Sequence, residues 1–272
     1  MTYRIIFIFI FSIFVVNISA AQVTTVNGTT FAATDTDYVK VAGQPDIYLF
    51  QKLSGGVISE MGRVKKLVKN GKVFWSREGV YQTFYPGGNL MKSEEYHNDT
   101  LNGLSIHLSS DNRLETTEYF NHGLRDGIYK YYHQSVLSEK ANYKNGKLNG
   151  RKTTFYDNTA IKEDGFFVDG IRDSTYSVYY SNGRLLAEYN YKLGIYNGSY
   201  KTFFENGDPQ SAGSYVNGIQ NGTYIEWNLG TYMALMGHYN MGKKDGEWQY
   251  WDGNKKLIKT EIWKDDVLKK TK

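Results

Sequence analysis

The chain has 272 residues, 16% of them aromatic, no cysteine, and a formal net charge of +4. The absence of cysteine excludes a disulfide framework, and so small a charge gives no case for nucleic-acid binding and only a weak one for acidic surfaces. Tyr (24) and Gly (28) are plentiful, which favours many short strands joined by tight turns over helices packed around a deep core.

The first predicted element is an export signal. Arg4 precedes an apolar run of 12 residues, 5 to 16, and Ser19, Ala20 and Ala21 follow it. The run is well short of the roughly 20 residues that span a bilayer, and small residues stand where cleavage would occur. Residues 1–21 are therefore expected to be a signal peptide. The mature protein is expected to be periplasmic or extracellular, with no integral membrane span. No cysteine follows the run, so a lipid-anchored form is not expected.

Residues 22–78 are expected to hold a leader and a degenerate capping hairpin. Residues 22–45 carry repeated Thr and Asp without strong periodicity, which suits a flexible leader or an edge strand. Tyr48 to Phe50, Gly55-Gly56 and Asn70-Gly71 resemble one hairpin, as terminal units of repeat arrays are usually atypical. Arg63, Lys65, Lys66, Lys69 and Lys72 are expected on a solvated face of this cap.

From residue 79 to the end the sequence is periodic. In YVNGIQNGTYIEW, residues 215–227, two Asn-Gly pairs stand four residues apart, and Asn145-Gly146 with Asn149-Gly150 repeats the pattern. With Gly222 as phase residue, the series runs Gly79, Gly103, Gly127, Gly150, Ser174, Gly198, Gly222, Gly246, at intervals of 24 residues except for one of 23. Five residues after each stands a large apolar side chain: Phe84, Leu108, Tyr132, Phe155, Tyr179, Phe203, Trp227, Trp251. After a turn comes Leu90, Leu114, Leu137, Ile161, Leu185, Pro209, Met233 or Leu257, and six residues later a second aromatic: Tyr96, Phe120, Tyr143, Phe167, Tyr191, Tyr215, Tyr239, Trp263. A turn residue lies three beyond that in every copy. The 23-residue interval arises because five residues separate Tyr132 from Leu137, where the other copies have six.

Asn-Gly is the signature of a two-residue hairpin turn. Each unit is therefore predicted to be a β-hairpin, with the paired Asn-Gly marking the link between hairpins. The expected fold is all-β: about eight 24-residue antiparallel hairpins in tandem, forming an elongated, twisted single-layer sheet of about 75 Å if laid flat. A four-bladed propeller would show alternation every second unit, and adjacent units look alike. A parallel solenoid is disfavoured by Asn-Gly at both ends of a strand. Lys264, Lys269, Lys270 and Lys272 put charge on the last strand, a common guard against edge-to-edge pairing.

The phrases NGKLNG (145–150), YVNGIQNGTY (215–224) and YNMGKKDGEWQYWDGNKKL (239–257) resemble the variant MORN repeat of bacterial proteins grouped as the YwqK-type antitoxin family. The resemblance spans about residues 79–268 and implies a non-catalytic hairpin array that binds other macromolecules, a toxin protein in the antitoxin case. Ser174 in place of Gly and Pro209 in place of an aliphatic residue depart from the pattern, and Pro cannot donate a ladder hydrogen bond.

The sequence shows no nucleophilic triad in recognisable context, no P-loop and no dinucleotide fingerprint. His97, His107, His122, His133 and His238 form no ligand-like pair, so neither metal nor cofactor is expected. Glu94 and Glu118 occupy the same offset in adjacent units, roughly 10 Å apart across two strands, near the upper limit for an inverting glycosidase pair. The same offset in later units holds Ala141, Gly165, Tyr189, Gly213 and Gly237, which favours an ordinary solvated face over an active site. Two residues after the phase position stand Tyr81, Tyr129, Tyr176, Tyr200, Tyr224 and Trp248. On a single-layer sheet some of this row is expected to remain partly exposed; it either packs structurally within a rolled sheet or supplies a binding surface, since Tyr and Trp suit protein interfaces and sugar stacking. The leading expectation is an exported, non-enzymatic scaffold that binds a partner protein. The alternative is an envelope- or carbohydrate-binding module using the same row.

Overall fold

The computed structural model describes residues 36–230 and 232–272, with backbone strands also at Tyr3–Phe7, Phe14–Ile18, Thr24–Val26 and Thr29–Phe31, which pair in that order as a four-stranded sheet. The expected signal peptide otherwise lies outside the described residues. The chain divides into two compact units, 1–126 and 127–272, and the regular elements described in both are strands paired antiparallel to their neighbours.

In the first unit Thr36–Lys40, Ile47–Ser54, Val57–Lys69, Lys72–Phe84, Leu90–His97, Thr100–Leu108 and Leu114–Asn121 pair consecutively. Gly55-Gly56 turns one hairpin, and Thr36–Lys40, within the segment read as a flexible leader or an edge strand, pairs with Ile47–Ser54. The strands on either side of Asn70-Gly71 run to 13 residues each, so the cap merges with the first repeat. In the second unit the repeats continue from Gly127–His133 through Gly246–Trp251, Leu257–Lys264 and Val267–Thr271.

The register reproduces the sequence period. Each phase residue faces the second aromatic of its own hairpin: Gly79↔Tyr96, Gly103↔Phe120, Gly127↔Tyr143, Gly150↔Phe167, Ser174↔Tyr191, Gly198↔Tyr215, Gly222↔Tyr239, Gly246↔Trp263. The apolar residue five later faces the aliphatic one, as in Phe84↔Leu90 and Trp251↔Leu257, always beside a register shift. Pro209 opens its strand opposite Phe203, a position a proline tolerates.

The two Asn-Gly pairs do different work: one turns the chain between hairpins and the next opens the following unit. Asn217 (φ 50°) and Gly218 (φ 80°) form the two-residue turn between hairpins, with the positive φ at both positions that a type I′ turn requires. Gly222 (φ 99°) instead lies at the start of a strand, where the ladder shifts to Gly222–Asn228 from the preceding two-residue strand Ile219–Gln220. Its neighbour Asn221 accepts a hydrogen bond from the backbone N–H of Met241, in the following turn, at 3.0 Å. Asp173 does the same for Leu193 (3.2 Å) and Asn102 for His122 (3.2 Å). At the opposite end of the hairpins the Tyr85, Tyr156 and Tyr180 hydroxyls donate to the carbonyls of Leu108, Tyr179 and Phe203, one repeat ahead.

The core is a lateral row of cross-strand neighbours. In the first unit it runs Tyr38, Phe50, Gly62, Tyr81, Glu94, Ser105, Glu118. In the second, Tyr129, Ala141, Lys152, Gly165, Tyr176, Tyr189, Tyr200 and Gly213 are successive partners, and Tyr224↔Gly237 and Trp248↔Glu261 continue it. Large rings cover glycines within this row. A Cβ on Gly237 would come within 2.2 Å of the Trp248 indole, one on Gly213 within 2.8 Å of Tyr200, and one on Gly165 within 2.4 Å of Tyr176. Trp248 is left only 1% exposed.

Gly237→Ala is therefore expected to overpack the row and cost about 1–3 kcal/mol, lowering Tm by several degrees. Gly253→Ala is the control, since a Cβ there meets nothing closer than the Tyr232 hydroxyl at 3.7 Å. Thermal melts of the two variants beside the parent check this; equal melts would show that the ring does not occupy the space over Gly237.

Candidate functional site

The structure places the predicted binding row in the packed face. Tyr81 and Tyr200 are 8% exposed and Trp248 less, while Tyr129, Tyr176 and Tyr224 are half-buried. Three of the six thus keep some exposure and three are packed away, which agrees with the structural-packing alternative for the latter. The cause is the second aromatic of each hairpin, which stands over the same face. Tyr81–Tyr96, Tyr129–Tyr143, Tyr176–Tyr191 and Tyr224–Tyr239 meet edge to face with ring centroids 5.9–6.2 Å apart. Phe84 packs elsewhere, against Met61.

A third residue, which sequence inspection did not single out, closes over the ring pair from two positions before the phase residue. The Arg77 guanidinium lies 3.9 Å from the Tyr96 ring centroid and 5.8 Å from that of Tyr81. Arg172 covers Tyr176 at 4.2 Å, and the Lys244 ammonium lies 4.3 Å from Trp248 and 4.8 Å from Trp263. Elsewhere in the series Tyr196 stacks on Tyr215 at 5.2 Å, and Gln220 donates to the Tyr200 hydroxyl at 3.1 Å. The signal was available in the sequence, since Arg77, Arg125 and Arg172 share this offset, but the eight copies spread over five residue types there.

One repeat in the first unit lacks the ring. Ser105 stands where Tyr81 and Tyr200 stand in theirs, and a cavity of about 320 Å³ opens there. Lys92, His107 and Thr116 line one cross-strand row of it; Glu94, Ser105 and Glu118 line the next; Phe120 and Arg125 complete the wall. Ser105 faces Glu94 on one side and Glu118 on the other, so the two carboxylates singled out in the sequence share one cavity. Glu118 accepts from Arg125 Nε at 2.5 Å, and Glu94 accepts from the Tyr96 hydroxyl at 2.8 Å. Of the histidines, His107 lies beside Glu115 at 3.3 Å and His97 beside Glu78 at 2.8 Å. Among the described residues, no group of three or more His, Asp and Glu is placed to hold a metal ion.

Four stretches of the chain, residues 77–98, 125–145, 172–193 and 196–217, match the family model described as the MORN repeat variant. Each match begins two residues before a phase residue, at Arg77, Arg125, Arg172 and Tyr196, so the family's unit starts on the residue that closes over the rings. No curated protein matches the chain.

The buried phenols tie stability to alkaline pH. Burial, with Glu94 adding to it, pushes Tyr96 up to about 12, and burial with Glu261 does the same for Tyr250, also about 12. Tyr81, Tyr191 and Tyr224 are raised for the same leading reason. A phenol that holds its proton longer when folded stabilises the fold fully below the unfolded value of about 10, and that contribution disappears as pH rises towards about 12. Tm is expected to fall across this window, with tyrosinate absorbance rising in step with unfolding. Smooth titration of all tyrosines near pH 10 with the fold intact would contradict the burial of the row.

Proposed function

We propose that the chain is an exported, non-catalytic MORN-like repeat scaffold that binds a partner protein. The observation that supports this is the turn edge of the second unit. Val168, Ile171, Leu193, Ile195, Val216, Ile219 and Met241 are all exposed there, Leu193 at 71% and Met241 at 55%. They lie side by side, because Ile171, Ile195 and Ile219 lean over Gly194, Gly218 and Gly242, the glycines of the next turns. Leu193 (φ 51°) and Met241 (φ 46°) occupy the first position of two-residue turns, a conformation that Asn adopts with less strain. Apolar side chains held in a strained turn and left in water serve no packing purpose, and such features concentrate at binding sites.

Lys192 and Lys243 are exposed on the same turns, and Lys144 and Lys147 flank the preceding one. A partner surface with apolar side chains ringed by carboxylates complements this edge. An exported toxin protein is the candidate that the antitoxin resemblance implies. The sugar-stacking alternative needs free ring faces in the row at Tyr81 to Trp248, and the burial of Tyr81, Tyr200 and Trp248 favours the protein-binding reading over it.

Leu193→Asn with Met241→Asn tests the assignment. Asn suits both turns, so Tm is expected to hold or rise. Capture of a defined, stoichiometric partner from envelope and secreted fractions, reproduced with the purified partner, is expected to be lost. Equal capture by parent and variant would remove the turn edge as the interface. Tyr200→Ala is unsuitable as a binding control, because it opens the core.

A further inference from the structure

The cavity at Ser105 is defined by what the other repeats contain. At the equivalent position a tyrosine ring meets the second aromatic of its hairpin edge to face in four repeats. In two of those its hydroxyl donates to a carboxylate: Tyr81 to Glu60 at 2.6 Å, and Tyr224 to Glu226 at 3.2 Å. The Gly103 repeat has the second aromatic as Phe120, and Glu94 and Glu118 flank the missing ring, while the positions that hold the acceptors Glu60 and Glu226 in those two repeats are Lys92 and His107 here. Glu94 and Glu118 each have one hydrogen bond in place, from Tyr96 and from Arg125 respectively, and a carboxylate has about four acceptor sites. The floor is the 7%-exposed Ser105, and the volume of about 320 Å³ is at the lower end of the range for ligand pockets.

We infer that this cavity receives the tyrosine side chain of a partner protein, which completes the aromatic row in trans. The incoming ring takes the edge-to-face place against Phe120, and its hydroxyl donates to Glu94 or Glu118. The inference rests on the reading that the chain binds a partner protein, and it assigns a contact within the first unit. A buried tyrosine with its hydroxyl satisfied is a common hot-spot residue at interfaces.

The test uses the full chain and two probes, N-acetyl-tyrosinamide and N-acetyl-phenylalaninamide, titrated to about 10 mM, the range suited to a single weakly held side chain. NMR shifts of the Ser105, His107 and Phe120 backbone amides are the readout. Binding of the tyrosine probe about tenfold tighter than its phenylalanine counterpart is expected, since a site built around acceptors disfavours the analogue without the hydroxyl. Ser105→Tyr supplies the ring in cis and is expected to abolish probe binding while Tm holds or rises. Should that variant not fold, Phe120→Leu, which removes the edge-to-face partner and keeps the cavity open, is expected to weaken the probe.

Equal binding of the two probes, no shifts in the titrated range, or shifts produced instead by methyl glucoside would overturn the assignment. Partner capture by Ser105→Tyr at the parent level would overturn it while leaving the partner-binding reading intact. Tyrosine-probe binding without any captured protein would overturn the partner reading and leave the cavity's preference for a phenol standing.

Discussion

The fold depends on rings leaning over small residues. Backbones two strands apart are roughly 9.6 Å apart in a sheet, yet Phe50 and Tyr81, with Gly62 between them, stack at 5.8 Å, and Tyr224 and Trp248, with Gly237 between them, approach to 6.2 Å. Each ring covers a glycine backbone that would otherwise be wet. A sheet face acquires a continuous apolar layer in this way without a second layer of secondary structure. The guanidinium or ammonium group of Arg77, Arg172 or Lys244 then shields the ring pair from water while keeping its own charge hydrated.

The same arrangement explains why the repeat is so regular in spacing and so tolerant in composition. A hairpin interacts with the next through its ring row, through the side chain before the phase residue, and through the tyrosine that reaches the following loop. The hydrogen bonds among these contacts link residues 20 to 23 apart. Inserting a residue between them would shift one strand by a register and turn its ring to the other face. Identity at any single position matters less. Ser174 adopts φ 67° where seven repeats have glycine, and Pro209 fits because it is first in its strand. The one shortened turn, between Tyr132 and Leu137, keeps its pairing as Tyr132↔Leu137.

Period, strand order and hairpin pairing were legible in the sequence because turn chemistry and ring spacing are local signals. Asn217-Gly218 needs no tertiary information to specify a turn. The second pair, Asn221-Gly222, opens the following unit, and its detailed role was not legible: the asparagine caps the next turn and the glycine accommodates a shift in the ladder. Which ring face is covered was not legible. Tyr81 and Tyr96 belong to different stretches of the repeat, and only the pairing Gly79↔Tyr96 with Tyr81↔Glu94 brings them over one another. The carboxylate offset and the ring offset likewise looked independent until pairing put Glu94 between Tyr81 and Ser105.

Departures from the repeat fall into two kinds, and the distinction bears on function. Ser174 and Pro209 are absorbed by the backbone and leave no void or exposed patch. Ser105, Leu193 and Met241 are not absorbed: the first leaves a cavity faced by Phe120 and flanked by Glu94 and Glu118, and the other two hold apolar side chains in water at positive φ. Asparagine suits the backbone at 193 and 241, as it does at 217, with less strain than the residues present. Packing and turn geometry account for the first kind of departure and not for the second, which is why the proposed contacts are placed at these three positions.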